Sequence, residues 1–321
     1  MNELYAADPA VCRHASELKL LLASFGPYAG RYLANYPLDW AAQVEHQFDT
    51  LGEVEAARVK TLLRRAKDNL TLVTRANLPW RTEQAWLTNA MPLLCNPPAV
   101  FDGLIASTTT TPAPTATQTN SVDGLACPKP QALAIQPLDA LDLPPTADER
   151  IAGIASEYAR VAKILLLLSP EIALIDPYLN PLKRTYAVVL QALFDLAAKG
   201  KCQRITLWAR SAEVLSGRAS PAIKSDIEAT LRRMAQQASF KPGRVVELLL
   251  MADETCQNKL HDRYLLSIKG GIRIGQGFAQ LPQGRQVDAG PVGKTIHNDL
   301  LDIHFDGKHD MRVADRITIT V

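Results

Sequence analysis

The sequence predicts an α/β protein in which a helical N-terminal region is joined by a linker to a C-terminal α/β domain. Apolar residues recur at helical spacing up to about residue 105, whereas strands and helices alternate after residue 148. The stretch 106–147 between them is rich in Thr and Pro and has no large apolar side chain before Val122, which is typical of a linker. We therefore predict three regions: a helical N-terminal domain (1–105), a Thr/Pro-rich linker (106–147) and an α/β domain (148–321).

Composition excludes several classes of protein. The chain has 321 residues, 47% of them hydrophobic and 21% charged, with a net charge of +2, which is typical of an ordinary globular protein and not of a disordered chain. The five cysteines are far apart and form no C-x-x-C pair, so we expect reduced thiols and neither a zinc knuckle nor a disulfide framework. No secretory signal is recognised at the N-terminus, and the longest apolar run, 164–168, is too short to cross a bilayer. These observations predict a cytoplasmic protein without membrane insertion.

The N-terminal region is predicted to contain several helices. Leu18, Leu21, Leu22 and Phe25 recur at helical spacing, and a second such run begins near Val54. Prolines interrupt the pattern repeatedly, because proline lacks a backbone donor and disfavours the helical conformation of the residue before it.

The C-terminal region alternates regularly between helices and strands. Helices are predicted over 149–168, 181–199 and 221–238, and buried strands over 172–178, 204–210 and 244–251. Two further strands, 259–268 and 271–278, are separated by two residues suited to a tight hairpin, and a last strand is predicted near 311–321. This order predicts a mixed, mostly parallel sheet with helices packed on it.

Polar residues lie at or just after the carboxyl ends of three of these predicted strands. Ligands of open α/β sheets gather at the carboxyl ends of the strands, so we expect Asp176, Tyr178, Arg210, Asp253 and Glu254 to lie around one crevice.

The segment 259–278 carries the clearest chemical pattern. On a strand, His261 and Arg263 point to the same side. An imidazole can attack phosphorus or transfer a proton, and a guanidinium can bind two phosphate oxygens, so the pair suits a phosphodiester. Gly275 and Gly277 would let the next backbone segment approach that phosphate closely.

This segment resembles the phospholipase D superfamily, whose motif is His-x-Lys, four residues, Asp, six residues, Gly, then Ser or Gly, any residue and Asn. His261 and Gly275 match the histidine and the glycine of that motif. The other four positions depart from the motif and hold Arg263, Ile268, Gln276 and Phe278. The resemblance is closer to a bacterial subgroup of phospholipase D-like domains that reads His-Asp-Arg-Tyr, then Gly-Gly-Ile and Gly-x-Gly, often in mobile-element or antiphage defence loci.

The resemblance implies an α/β/α sandwich and a metal-independent site without a cofactor, where two motifs meet and one histidine forms a covalent phosphohistidine. Because none of the other histidines is followed two positions on by Lys or Arg, it also implies a homodimer. The expected catalytic residues are His261 and Arg263, and we hypothesise that Asp176, Asp253 or Glu254 orients the histidine in place of the missing aspartate of the motif. The expected substrate-binding residues are Arg210, Gly275, Gln276 and Tyr178.

Two functions are consistent with this pattern. The first is a phosphodiesterase, a nuclease of an antiphage or mobile-element defence system that acts on DNA more than on RNA. The alternative is a catalytically inactive scaffold or nucleic-acid-binding subunit, because four motif positions are substituted. In either case residues 1–105 are expected to bind partner proteins of a defence complex.

A second histidine-rich segment lies near the C-terminus. His297, His304 and His309 alternate with aspartates, a composition that could bind a divalent metal. The spacing matches no known zinc or nuclease pattern, so we interpret these residues as loop and surface residues.

Overall fold

The chain folds into two compact units, residues 3–146 and residues 147–321. The computed structural model describes residues 3–75, 77–96, 99–107, 148–215, 221–256, 260 and 262–321, together with the backbone of 121–122, 125–126 and 133–134. No helix within these ranges is both long and apolar enough to span a bilayer.

The N-terminal unit is built on a five-stranded parallel sheet of order β3-β2-β1-β4-β7. Its strands and the small antiparallel pair β5-β6 are β1 (Glu3–Ala7), β2 (Arg31–Ala34), β3 (Leu72–Val73), β4 (Gly103–Ile105), β5 (Ser121–Val122), β6 (Leu125–Ala126) and β7 (Leu133–Ala134). The α-helices among its described residues are α1 (Ala15–Ala23), α2 (Trp40–Phe48), α3 (Glu53–Asp68) and α4 (Trp86–Cys95). Trp40, Val44 and Phe48 of α2 pack in the core with Leu18 and Leu21 of α1.

The expectation of a helical N-terminal domain is therefore wrong in one respect, since this unit is α/β. The helices lie where apolar residues recur at helical spacing, but the sheet was missed. All four residues of β2 and all three of β4 are buried. Strands so short and buried on both faces show no alternation of polar and apolar residues, which is the pattern that identifies a strand.

The predicted linker, 106–147, lies mostly outside the described residues. Its described backbone includes β7, which pairs in parallel with β4 through Leu104 and Leu133. This segment therefore contributes a strand to the N-terminal sheet.

The C-terminal unit is built on an eight-stranded mixed sheet of order β15-β11-β10-β9-β12-β13-β14-β8. The strands are β8 (Glu149–Ala152), β9 (Glu171–Ile175), β10 (Arg204–Arg210), β11 (Val245–Met251), β12 (Tyr264–Ser267), β13 (Gly270–Ile274), β14 (Gln286–Pro291) and β15 (Val313–Thr320). Only the pairings β9-β10 and β10-β11 are parallel, and the other five are antiparallel. The sheet is mixed as predicted, but the expectation of a mostly parallel sheet is wrong, because β12, β13 and β14 form a meander and β15 returns beside β11.

The described residues of this unit also form helices α5 (Ala155–Leu168), α6 (Arg184–Ala198), α7 (Ser211–Leu215), α8 (Pro221–Gln237), α9 (Asp253–Cys256) and α10 (Lys294–His304). Leu300 and Ile303 of α10 pack on the face of the sheet that holds Ala173 and Ile175. Ile172, which alternates with these residues, is equally buried, so both faces of the central strands are covered.

Two local predictions need correction in this unit. Residues 149–152 form strand β8 and not the start of the predicted helix. His297 and His304 belong to α10 and not to a loop; His297 is fully buried, and its Nε2 lies 2.8 Å from the carbonyl oxygen of Ser267. The described part of the chain contains no group of three or more His, Cys, Asp or Glu residues that could hold a metal ion.

Candidate functional site

Asp176 follows β9 directly and is fully buried. One carboxylate oxygen accepts a hydrogen bond from the backbone N–H of Tyr178 at 3.0 Å, and the other accepts one from the N–H of Phe278 at 2.9 Å. The aspartate therefore joins the end of β9 to the loop that follows β13, two segments that are about a hundred residues apart in sequence.

Arg263 lies beside this aspartate because of the strand register. β12 runs antiparallel to β9 and pairs Tyr264 with Ile175, so the preceding residue, Arg263, is level with Asp176. Its guanidinium lies over the ring of Tyr178, 5.3 Å from the ring centroid, and Nη1 donates to the carbonyl of Gly275 at 3.3 Å. No described carboxylate forms a salt bridge with Arg263, and its buried Nε has no hydrogen-bond partner among the described residues.

The loop after β13 approaches Asp176 very closely at Gly277. This residue has φ +81°, and a Cβ added to it would lie 2.3 Å from Oδ2 of Asp176. Only glycine fits this combination of backbone conformation and contact.

Gly275 has a different role from the one that the sequence predicts. Its N–H donates to the carbonyl of Asp288 at 2.8 Å and is therefore not available to an anion, whereas its own carbonyl accepts from Arg263. The neighbouring Gln276 is exposed to solvent beside this loop.

Burial controls the electrostatics of Asp176. Desolvation raises its pKa above the usual value, and the two backbone N–H groups and the positive charge of Arg263 oppose that rise. Two tyrosines that sequence reasoning missed lie close enough to respond to its charge. Burial, reinforced by Asp176, raises the pKa of Tyr158 on α5 to about 12 and raises the pKa of Tyr186 on α6 further. Their only signal in the sequence was a tyrosine on the buried face of each helix.

Arg210 and Glu254, also predicted at this edge, take part in other ion pairs. Nε of Arg210 donates to Asp253 at 2.7 Å, and the other oxygen of Asp253 accepts from the N–H of Ala212 at 2.9 Å, at the start of α7. Glu254 is 63% exposed and pairs with Arg312. The backbone N–H of Arg210 donates to the carbonyl of Pro177, so the ends of β9 and β10 are adjacent as expected.

The remaining predicted residue, His261, lies outside the described residues. Its neighbours in the chain are described: Leu260 is buried in the core, and Asp262 is exposed with its carboxylate accepting from the hydroxyl of Tyr264 at 2.8 Å.

No protein-family model matches this chain, and no curated protein matches it.

Among the described residues, the structure brings together Asp176, Tyr178, Arg263 and the loop 275–278. The cluster presents a guanidinium without a carboxylate partner at the edge of the sheet, stacked on a tyrosine that is 40% exposed. Such a cation can bind an oxyanion of a ligand, and the planar fork of its donors suits phosphate or carboxylate.

Proposed function

We propose that the C-terminal unit is a phospholipase D-like phosphodiesterase that cleaves nucleic acid, with Arg263 binding the scissile phosphate and His261 as the nucleophile. The observation that carries the proposal is the state of Arg263, a partly buried cation at the edge of the sheet whose charge no described carboxylate neutralises by direct contact. A buried or half-buried charge is costly without a partner, and a phosphodiester supplies one.

The proposed reaction proceeds in two displacements at phosphorus. Nitrogen of His261 attacks the phosphorus, a P–N bond forms, the P–O bond to the leaving group breaks, and that oxygen takes a proton from the histidine of a second copy. Water then attacks the phosphohistidine, giving its proton to that second histidine, and the P–N bond breaks. One copy of the motif per chain makes a homodimer with two-fold symmetry part of the proposal.

Cleavage assays of the full chain test this function. The parent protein is expected to cut labelled single-stranded DNA, duplex DNA or RNA in the presence of EDTA, with DNA preferred. His261→Ala should lower the rate by roughly a thousandfold or more, as removal of a nucleophile does. Arg263→Lys keeps the charge but loses the fork, and should lower substrate affinity roughly tenfold to a hundredfold.

Arg273→Lys provides a matched control, because Arg273 lies on the neighbouring strand β13, is exposed and pairs with Asp148. It should cut as fast as the parent. Cleavage by His261→Ala at the parental rate contradicts the proposed nucleophile.

A second function, binding of nucleic acid without cleavage, is favoured because Asp176 and Glu254, two of the carboxylates expected to orient His261, already have other partners. Both oxygens of Asp176 already accept backbone hydrogen bonds, and Glu254 pairs with Arg312 at the surface. If neither orients His261, binding measured by fluorescence anisotropy should depend on Arg263 and be unchanged in His261→Ala. Loss of the phosphate contact of Arg263 should also reduce the slope of log K against log salt concentration by about one.

A further inference from the structure

A cavity of about 270 Å³ lies at the carboxyl ends of β2 and β3 in the N-terminal unit. The two strands are parallel neighbours, so the segments that leave them, 35–39 and 74–80, emerge at the same edge of the sheet. Residues from both segments line the cavity, among them Tyr36, Leu38, Arg75, Leu78 and Trp80. The carboxyl edge of an open parallel sheet is where ligands of α/β proteins bind.

Arg75 is the unusual member of this lining. Its guanidinium makes no hydrogen bond and no ion pair with any described residue, and Nη1 is completely buried. Burial lowers the pKa of this side chain from its usual value. Asp39 lines the same cavity, but its two oxygens accept from Nε2 of Gln43 at 3.1 and 3.2 Å. A guanidinium nitrogen that is buried without a hydrogen-bond partner is costly, and a bound anion would supply that partner.

The part of the cavity wall formed by Tyr36 and Trp80 is held in place by the protein itself. The hydroxyl of Tyr36 donates to the carbonyl of Pro79 at 2.9 Å, and its ring meets Trp80 edge to face with centroids 5.5 Å apart. The buried side chain of Asn89 bonds both the N–H and the carbonyl of Arg81, each at 2.9 Å. A wall that is ordered before binding reduces the entropy lost when a ligand binds.

We propose that this cavity binds a small phosphate ester of mononucleotide size or less, with the phosphate on Arg75 and an aromatic or apolar body against Leu78 and Trp80. The combination of one cation with an aromatic and aliphatic wall matches such a ligand. Because the volume lies just below the range of about 300–1,000 Å³ that is usual for drug-sized ligands, a dinucleotide is too large.

Binding of AMP, UMP, adenosine and inorganic phosphate to the full chain, measured by calorimetry and thermal shift, tests the proposal. At least one nucleotide should bind more tightly than adenosine. Arg75→Gln should weaken that binding roughly tenfold to a hundredfold, the effect of losing hydrogen bonds to a charged group. Arg81→Gln is the matched control, because Arg81 is exposed, lies six residues further along and does not line the cavity. It should bind like the parent.

Two further variants test whether Arg75 lowers the stability of the free protein and whether nucleotide binding in the cavity is independent of His261. Arg75→Met should melt at the same temperature as the free parent or above it, because it removes a cation without a partner. His261→Ala should bind the nucleotide unchanged, so that this site and the proposed phosphodiesterase can fail independently. The proposal is overturned if neither nucleotide binds, or if Arg75→Gln binds a nucleotide as tightly as the parent does. It is also overturned if Arg75→Met lowers the melting temperature as loss of a core residue does.

Discussion

Replacing Gly277 by alanine tests whether Asp176 holds the loop after β13 in place. The added methyl group would lie 2.3 Å from Oδ2 of Asp176, the oxygen that accepts from the N–H of Phe278. The carboxylate has to move, and the bond to Phe278 is lost. Gly277→Ala should therefore loosen the end of β9 as well as the loop itself.

The magnitude follows from two contributions. Alanine at φ +81° costs about 1–2 kcal/mol of backbone strain. A lost hydrogen bond to a charged group adds about 1.5–3 kcal/mol, so the free energy of unfolding should fall by about 2.5–5 kcal/mol. Gly284 is a close control, because it has the same φ of +81° and nothing within 4 Å of an added Cβ. Gly284→Ala should lose only the strain of about 1–2 kcal/mol.

Hydrogen exchange with mass spectrometry at increasing urea gives the free energy of unfolding for peptides of the C-terminal unit separately from the rest of the chain. The difference between the two variants isolates the contact with Asp176. If both alanine variants lose the same free energy within about 0.5 kcal/mol, which is the usual error of such comparisons, the carboxylate does not hold this loop.

Two further predictions concern the C-terminal unit. Burial lowers the pKa of His304 to about 3 in the folded protein, whereas its usual value is 6.5. Below pH 6.5 the unfolded chain binds this proton and the folded protein does not, so the free energy of unfolding falls by up to about 1.4 kcal/mol per pH unit; above pH 6.5 this loss is absent. His304→Phe, which can keep the edge contact with Trp208, should flatten this part of the curve measured between pH 7 and 5, and an unchanged slope would contradict the assignment. Arg244→Met should cost about 2–4 kcal/mol in urea unfolding, because the buried guanidinium donates to two carbonyls at the end of α6. Arg232→Met removes an exposed ion pair with Glu228 and an exposed hydrogen bond to the carbonyl of Thr320, and should cost about 0.5–1 kcal/mol. Equal losses in the two variants would exclude a special role of Arg244.

The C-terminal strands could be predicted because their sequences are continuous apolar runs bounded by turn residues. Arg204–Arg210 is a strand with the expected bounds. β12 and β13 form the expected hairpin, but β12 begins at Tyr264 and not at residue 259, and β13 ends at Ile274 and not at residue 278. β14 was missed because Gln286–Pro291 contains Gly and Pro, which are rare within strands. Its buried and exposed residues also alternate over only part of its length, so the sequence pattern of a strand is weak. The direction of a strand, in contrast, is set by pairing across the sheet, which no local pattern encodes.

The site was predictable only in part. That Asp176 and Tyr178 follow a strand is visible in the sequence, and so is the spacing of Arg263 and Gly275. The side-chain partners are not, since Glu254 pairs with Arg312 and Arg210 pairs with Asp253 through contacts set by the tertiary fold. Arg75, which has no partner among the residues that the structure describes, gives no sequence signal at all, because its environment depends on two strands that are too short to recognise.

The order of strands in the C-terminal sheet also has a consequence for synthesis on the ribosome. β8 is the first described strand of its unit to be translated, and its neighbour in the sheet is β14. Arg150 of β8 can form its ion pair only after Asp288, 138 positions downstream, has been synthesised. The β12-β13 hairpin can close as soon as it emerges, whereas β8 stays without its partner until β14 has been synthesised. During that interval its backbone donors and acceptors are open to pairing with foreign strands, and the charged residues Glu149 and Arg150 on so short a strand are the protection that nascent edges commonly carry.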